Sequence, residues 1–376
     1  MGELAEFING RAYKQDELLS SGKYPVLRVG NFYTNDKWYY SNLELPEKYY
    51  AEEGDLLYTW SATFGPHIWI GPKVIYHYHI WKVALKNIFE KDFALQFFEA
   101  DRVRLLNSTN GSTMIHVTKK DMESKGVLLP DVYEQRTIGD LLKRVDHLIA
   151  ATQHKIEKLE LAKEATLQHM FNKSWKISGN FPSWKDADLG SLNLDISDGD
   201  WIESEHIHRT GSYRIIQTGN IGLGIFVDKS ETAKYIHQSD YDELHANEVF
   251  PGDILICRLA EPAGRAIILP DIHHRMVTVV DVAVIRPSSQ INAYFLVSEL
   301  NRPKVLHEVG TLTSGSTRKR ISRKNLEKVN LEMPSIDEQN KIAIIVESFS
   351  NIISLTQSNL TNLKTVKAFL MQSLFA

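Results

Sequence analysis

The densest run of chemistry-bearing side chains is Gly315-Ser316-Thr317-Arg318-Lys319-Arg320-Ile321-Ser322-Arg323-Lys324, with five cations in ten residues. Lysine and arginine supply charge and small hydroxyls supply hydrogen bonds, a combination that suits a nucleic-acid phosphate backbone. The candidate phosphate contacts are Ser316, Thr317, Arg318, Lys319, Arg320, Arg323 and Lys324. A less basic counterpart, Gly111-Ser112-Thr113-Met114-Ile115-His116-Val117-Thr118-Lys119-Lys120, adds Ser112, Thr113, Lys119 and Lys120. A solvated turn would carry the same composition.

Two further groups follow matching Gly-Asp segments. Thr59, Trp60, Ser61, Thr63, Phe64 and His67 come after Gly54-Asp55-Leu56-Leu57, and Arg258, Glu261 and Arg265 after Gly252-Asp253-Ile254-Leu255. Arginine can bond guanine O6 and N7, and glutamate can accept from cytosine N4, so these are candidate base readers. A packing role is the alternative, with Trp60 and Phe64 inside and Arg258 paired with Glu261. Asn31 and Asn220 suit adenine or a turn cap, and the cap is the favoured role.

Several chemistries are excluded. A single cysteine, Cys257, forms no internal disulfide and no cysteine metal cluster. His77, His79, His116, His273 and His274 make no convincing ligand set, although His77 and His79 are expected on one face of a strand. The glycines of Gly219-Asn220-Ile221-Gly222-Leu223-Gly224 do not open a helix as a dinucleotide loop would. There is no phosphate-cradling Gly-x-x-x-x-Gly-Lys-Ser/Thr loop, as an ATP-driven nuclease needs, and no Asn-Pro-Pro-Tyr-like methyltransferase loop. No catalytic residue and no metal site are assigned. A coiled-coil scaffold that binds only protein is disfavoured by the basic stretch.

These side chains need a frame, and the frame is a repeat. Ile138, Leu142, Val145, Ile149, Thr152, Ile156 and Leu159 step by four and three, a heptad seam. Ile342, Val346, Phe349, Ile353, Thr356, Leu360 and Leu363 repeat it, each 204 residues on (342 against 138). The same offset joins the Gly-Ser-Thr loops, Pro130 with Pro334, Glu134-Gln135 with Glu338-Gln339, and Phe171 with Phe375. Two helices of about 36 residues, roughly 54 Å each, should pair, most simply antiparallel about an internal pseudo-two-fold. Thr152 and Thr356 are expected to set their register. Leu161, Leu167, Ile177 and Leu374, off the seam, hint at protein docking.

Each helix follows a mixed α/β region. Strands are expected at 24–29, 56–60, 67–70, 74–79, 80–85 and 277–286. Helices are expected at 92–106, with Phe93, Leu95, Phe97, Phe98 and Val103 as core, and at 293–300. Gly179 and Pro182 break the linker. The expected division is a first domain at 1–132, a long helix at 133–172, a linker and second domain at 173–336, and a second long helix at 337–376. The fold class is thus α/β (α+β), two mixed α/β domains separated by two long helices forming an antiparallel coiled coil. The composition, 43% hydrophobic and 24% charged with net charge −4, is that of a globular protein carrying a local basic patch. No apolar run approaches a membrane span. Met1-Gly2-Glu3-Leu4 does not start a signal peptide, so a cytoplasmic location is expected.

The Gly-Asp-Leu-Leu and Gly-Asp-Ile-Leu segments, the paired Gly-Ser-Thr loops, the Pro-x-x-x-Glu-Gln helix starts, Phe7-Ile8-Asn9-Gly10 and Gly30-Asn31 together resemble the specificity subunit of Type I restriction–modification systems. The resemblance covers almost the whole chain. It implies two target recognition domains reading an asymmetric bipartite site in double-stranded DNA. It also implies long helices that set the spacing and dock two methyltransferase subunits, with motor-nuclease subunits joining for cleavage. S-adenosylmethionine, ATP and Mg would belong to those partners, with no cofactor in this chain. One departure is that a lead-in with Trp184 precedes Leu189-Gly190 while nothing comparable precedes Gly2, so a shortened and a mis-started N-terminus are both open and the first domain's edge is unassigned.

Overall fold

The computed structural model describes all residues except 34, 62, 109–116, 172–183, 316–317 and 376. The chain forms two compact units, one from Met1–Lys155 with Thr356–Ala376 and one from Ile156–Leu355.

The first unit holds β1 (Ala5–Asn9), β2 (Tyr24–Leu27), β3 (Tyr39–Ser41), β4 (Tyr50–Ala51), β5 (Leu56–Thr59), β6 (Gly65–Ile68), β7 (Val74–Tyr76) and β8 (Ile80–Leu85). They make two four-stranded sheets, ordered β1-β8-β5-β6 and β3-β2-β7-β4. All pairs are antiparallel except β2 with β7. Helices α1 (Lys91–Ser108), α2 (Lys119–Ser124) and α3 (Val132–Phe171) follow.

The second unit holds β9 (Lys185–Asp188), β10 (Ile196–Asp198), β11 (Tyr213–Ile216), β12 (Lys234–Ile236), α4 (Gln238–Leu244), β13 (Glu248–Val249), β14 (Ile254–Cys257), β15 (Ala266–Ile268), β16 (Arg275–Thr278) and β17 (Val282–Ile285). Then come α5 (Ala293–Leu300), α6 (Pro303–Thr311), α7 (Arg323–Leu326), β18 (Asn330–Met333) and α8 (Ile336–Leu374). The sheet plan recurs as β10-β17-β14-β15 and β12-β11-β16-β13, again with one parallel pair, β11 with β16. A two-stranded sheet, β18 with β9, completes it.

In detail the structure departs from several expectations. The 277–286 stretch is two strands parted by a turn at 279–281. His77 and His79 lie in the connection between β7 and β8, not on a strand. Val103 is largely exposed, because it faces away from the phenylalanine cluster of Phe93, Phe97 and Phe98. Gly179, Pro182 and Ile177 lie outside the described residues.

Each unit pairs one part of α3 with one part of α8. In the first, Asp146 pairs with Lys367 at 2.5 Å. Ile138 and Leu142, nearer the start of α3, share a core with Leu370, Met371 and Phe375, nearer the end of α8. In the second, Lys163 donates to Ser350 Oγ at 3.0 Å. Beyond it, Leu167, Met170 and Phe171 pack with Ile345, Val346 and Ile342, further back along α8. In both units the partners move backwards along α8 as α3 advances, so the pairing is antiparallel. Leu142, Val145, Ile156, Ile342, Val346 and Ile353 of the seam are buried, whereas the outward Leu148 and Leu355 are exposed, as a heptad requires. Leu167 is half-buried and packs against the cluster of Met170, Phe171, Ile342 and Val346. Thr152 donates to its own helix at Leu148 O, 2.7 Å, and Thr356 is buried.

The buried Gln135 and Gln339 fasten these helices to their domains. Gln135 Oε1 accepts from Glu90 N at 2.9 Å, and its amide donates to Ile88 O and Pro130 O. Gln339 Oε1 accepts from Asn292 N at 3.0 Å, and its amide donates to Pro334 O. In each case the long helix grips the chain where α1 or α5 begins. Replacing either glutamine with leucine strands buried backbone groups at about 1–3 kcal/mol each. The expected result is a melting temperature several degrees lower, read by calorimetry, with unchanged secondary structure at low temperature.

Candidate nucleic-acid interface

The Gly-Asp segments turn out to be structural. Asp55 Oδ2 accepts from Glu52 N and pairs with Lys82; Asp253 Oδ2 accepts from Phe250 N and pairs with Arg286. Burial raises the Asp253 carboxyl above its ordinary range while Arg286 opposes the rise. These bonds aim β5 and β14 and the loops that leave them.

Each such loop is clipped to the segment that carries the phosphate candidates. In the second unit Ile321 N donates to Arg258 O at 3.0 Å, and Leu259 bridges Arg320. Ser314 and Arg320 exchange both backbone bonds at 2.9 Å, an isolated antiparallel bridge. Gly315, at φ +101, lies where a Cβ would sit 2.5 Å from Arg318 O, so only glycine fits that turn. The first unit repeats the clip, Val117 N to Trp60 O at 3.3 Å. Trp60 and Arg258 therefore occupy equivalent places.

Around the Ser314–Arg320 bridge the cations differ. Lys319 pairs with Glu261 at 3.0 Å, Arg320 with Asp281 at 2.9 Å and Arg323 with Glu327 at 3.3 Å. Arg318 and Lys324 are exposed, with no ion pair among the described residues. On the first unit Lys119 pairs with Glu123 at 3.5 Å, and Lys120 is exposed. Ser112, Thr113, Ser316 and Thr317 lie outside the described residues.

The base candidates divide. Thr63 and Glu261 are exposed, and Ser61 and Arg265 are half-buried, so these four remain open to a ligand. Arg258 is not. It is 4% exposed, and its guanidinium donates to Val280 O and faces Asp198 at 3.3 Å. It braces the loop, and its partner is Asp198, not Glu261. Thr59 is fully buried, with its hydroxyl on Gly65 O at 3.3 Å. Phe64 is core. Trp60 is half-buried; its ring stacks near Trp81 and donates to Tyr78 O at 2.8 Å. His67 stacks on Phe32 at 4.1 Å and meets Tyr33 OH at 3.1 Å. Asn31 and Asn220 cap their turns, accepting from Arg28 N and Gln217 N.

Glu261, Lys319, His307, Thr311 and Thr313 face one another across a cleft of about 480 Å³, closed on one side by Pro303 and Leu306 of α6. This helix is not among those expected from the sequence. Arg302-Pro303, with proline at the first helical position, is the signal that marks it.

Titration differs between units. Burial pushes His67 and His77 from the ordinary 6.5 down to about 4. In the second unit His206 Nδ1 and His208 Nε2 lie 3.0 and 3.1 Å from the two oxygens of Asp240. The bond to Asp240 raises His206, and the same bond lowers Asp240. Depressed histidines bind protons first in the unfolded chain, so they subtract stability as pH falls from 6.5 towards 4. A raised histidine adds stability below 6.5 that disappears as pH rises through its folded value. Hydrogen exchange followed at pH 5 and pH 8 should show the first unit better protected at pH 8. The contribution of His206 to the second should fall over the same rise, and His206→Gln should remove that fall.

With this geometry established, comparison with known proteins decides the family. The family described as Type I restriction modification DNA specificity domain matches residues 1–161 and 183–365. The chain belongs to the Type I restriction–modification DNA specificity family. It is similar to the Type I restriction enzyme MjaVIII specificity subunit of Methanocaldococcus jannaschii, 26% identical over 392 residues, covering 100% of this chain and 90% of that one. It is 22% identical to the Type I restriction enzyme EcoBI specificity subunit of Escherichia coli, covering 100% and 84%. The fold matches the crystal structure of the S subunit from M. genitalium, with a TM-score of 0.65 at 14% identity, covering 100% and 94%. A structure from a study of complex assembly and conformational transition in the Type I system matches at 0.53 and 15% identity, covering 99% and 97%. No described helix is long and apolar enough to cross a membrane.

Proposed function

We propose that this chain is the non-catalytic DNA-reading subunit of a Type I restriction–modification enzyme. Residues 1–132 and 173–336 each read one half of an asymmetric bipartite target. The long helices at 133–172 and 337–376 set the distance between halves and dock two methyltransferase subunits, to which motor-nuclease subunits are added. Methyl donor, nucleotide and Mg sites are assigned to those partners, and the complex works in the cytoplasm.

The observation that supports the reading is one scaffold built twice with unlike loops. The clip, the Gly-Asp turn and the glutamine anchor recur in both units. The loops they hold carry Trp60, Ser61 and Thr63 in one unit and Arg258, Glu261 and Arg265 in the other. Loops free to vary on a fixed frame are where recognition is placed. The exposed Leu141, Leu148, Leu161, Ile344, Ile352, Leu355 and Phe369 on the long helices suit protein docking.

The test is a duplex-binding assay on random-sequence DNA, with and without methyltransferase partners, combined with a methyl-transfer assay on the isolated chain. The expected result is sequence-selective binding and no transfer by the chain alone. Transfer by the isolated chain would refute the non-catalytic role, and loss of selectivity with partners present would refute the reading role.

A further inference from the structure

In the second unit the ladder between β11 and β12 ends at Ile215 and Lys234. Beyond that point the two segments splay apart, one into the turn Thr218–Asn220 and the other towards Ser230–Thr232. Between them lies a recess of about 160 Å³, lined by Arg214, Thr218, Gly219, Lys229, Thr232 and Lys234 among others, with no carboxylate in its lining. Arg214 is buried and held by Asp228. Lys229 and Lys234 have no ion pair among the described residues. The Lys229 ammonium rests over the backbone of Gly219, where a Cβ would lie 2.8 Å from Nζ. Two ammonium groups without an ion pair and the hydroxyls of Thr218 and Thr232 around a small hollow suit an anion rather than an apolar group or a cation.

We propose that this recess binds a phosphate group, supplied by the backbone of the DNA target beside the half-site that the second unit reads. The inference rests on the DNA-reading function. The segment that follows the Thr218–Asn220 turn runs beside the strand after the reading loop, since Gly224 N donates to Ala266 O at 3.1 Å in β15. It belongs to one unit only: in the sheet register Arg214 faces Tyr235 as Pro25 faces Tyr40, so the first unit has proline where the second has the buried guanidinium. The two readers would then grip the duplex unequally.

The test measures duplex binding by the full chain against salt concentration, for the wild type, for Lys229→Ala/Lys234→Ala and for Gly219→Val, which displaces the Lys229 ammonium without removing charge. Removing one phosphate interaction lowers the logarithmic salt slope by about 0.9. The double variant should drop by one to two such steps, equally on target and unrelated DNA, with an unchanged melting temperature, and Gly219→Val by about one. An unchanged slope in the double variant overturns the site. If the wild-type chain binds no duplex, the DNA-reading function fails instead, and inorganic phosphate decides the site by amide resonance shifts. Shifts at Thr218–Asn220 that vanish in the double variant uphold it, and their absence in the wild type overturns it.

Discussion

Arg318→Ala/Lys324→Ala will weaken binding to every duplex by the same factor, roughly tenfold at about 0.15 M salt, and will flatten the salt dependence by about two phosphate interactions. These two side chains are chosen because they are exposed and carry no ion pair among the described residues. Their removal deletes charge and leaves the fold alone. Lys319 and Arg320 are different, since Glu261 and Asp281 hold them. Adding Lys319→Ala and Arg320→Ala frees Glu261 and Asp281 beside the reading loop, so the fourfold variant should lose discrimination as well as affinity. Binding isotherms at several salt concentrations on target and scrambled duplexes check both effects. A double variant that loses affinity for the target alone would place Arg318 and Lys324 among base readers instead.

The other large effect concerns distance. Inserting one heptad at facing points of α3 and α8 preserves the seam and lengthens the pair by about 10 Å at 1.5 Å per residue. At about 3.4 Å per base pair the two half-sites should move apart by roughly three base pairs, with each half-site unchanged. Binding to the original spacing should be abolished. Inserting into α3 alone keeps its seam in phase but leaves it about 10 Å longer than the stretch of α8 it pairs with, so the pairing should be destabilised rather than reset to a longer gap. The readout is selection from duplexes with both half-sites fixed and the gap varied. An unaltered gap preference would show that the helices do not measure the target.

The frame was legible in the sequence because its signals are periodic and local. The steps of four and three from Ile138 and from Ile342 marked both helices, and the matched spacing of Gln135 and Gln339 marked a repeat before either amide had a known partner. The readers were harder to see. Arg258 has the chemistry of a guanine contact, yet its place one residue beyond β14 turns the guanidinium inward to Asp198 and Val280. Thr59 ends a strand buried on both faces. The setting of a loop base depends on distant chain, here Ile321, whose N–H bonds Arg258 O from 63 residues further on. His67 likewise reads as a polar contact until Phe32 and Tyr33, brought in from a distant turn, cover it. The Gly-Asp segments, which marked the family, proved to be turn chemistry that aims the strands.

The most direct test of two unlike readers on one antiparallel helix pair is mapping of the methylated bases in DNA from cells expressing the chain with its methyltransferase partners. The account predicts one motif in two unlike parts, separated by a gap of fixed length and indifferent sequence. A single uninterrupted motif, or two identical halves, would contradict it.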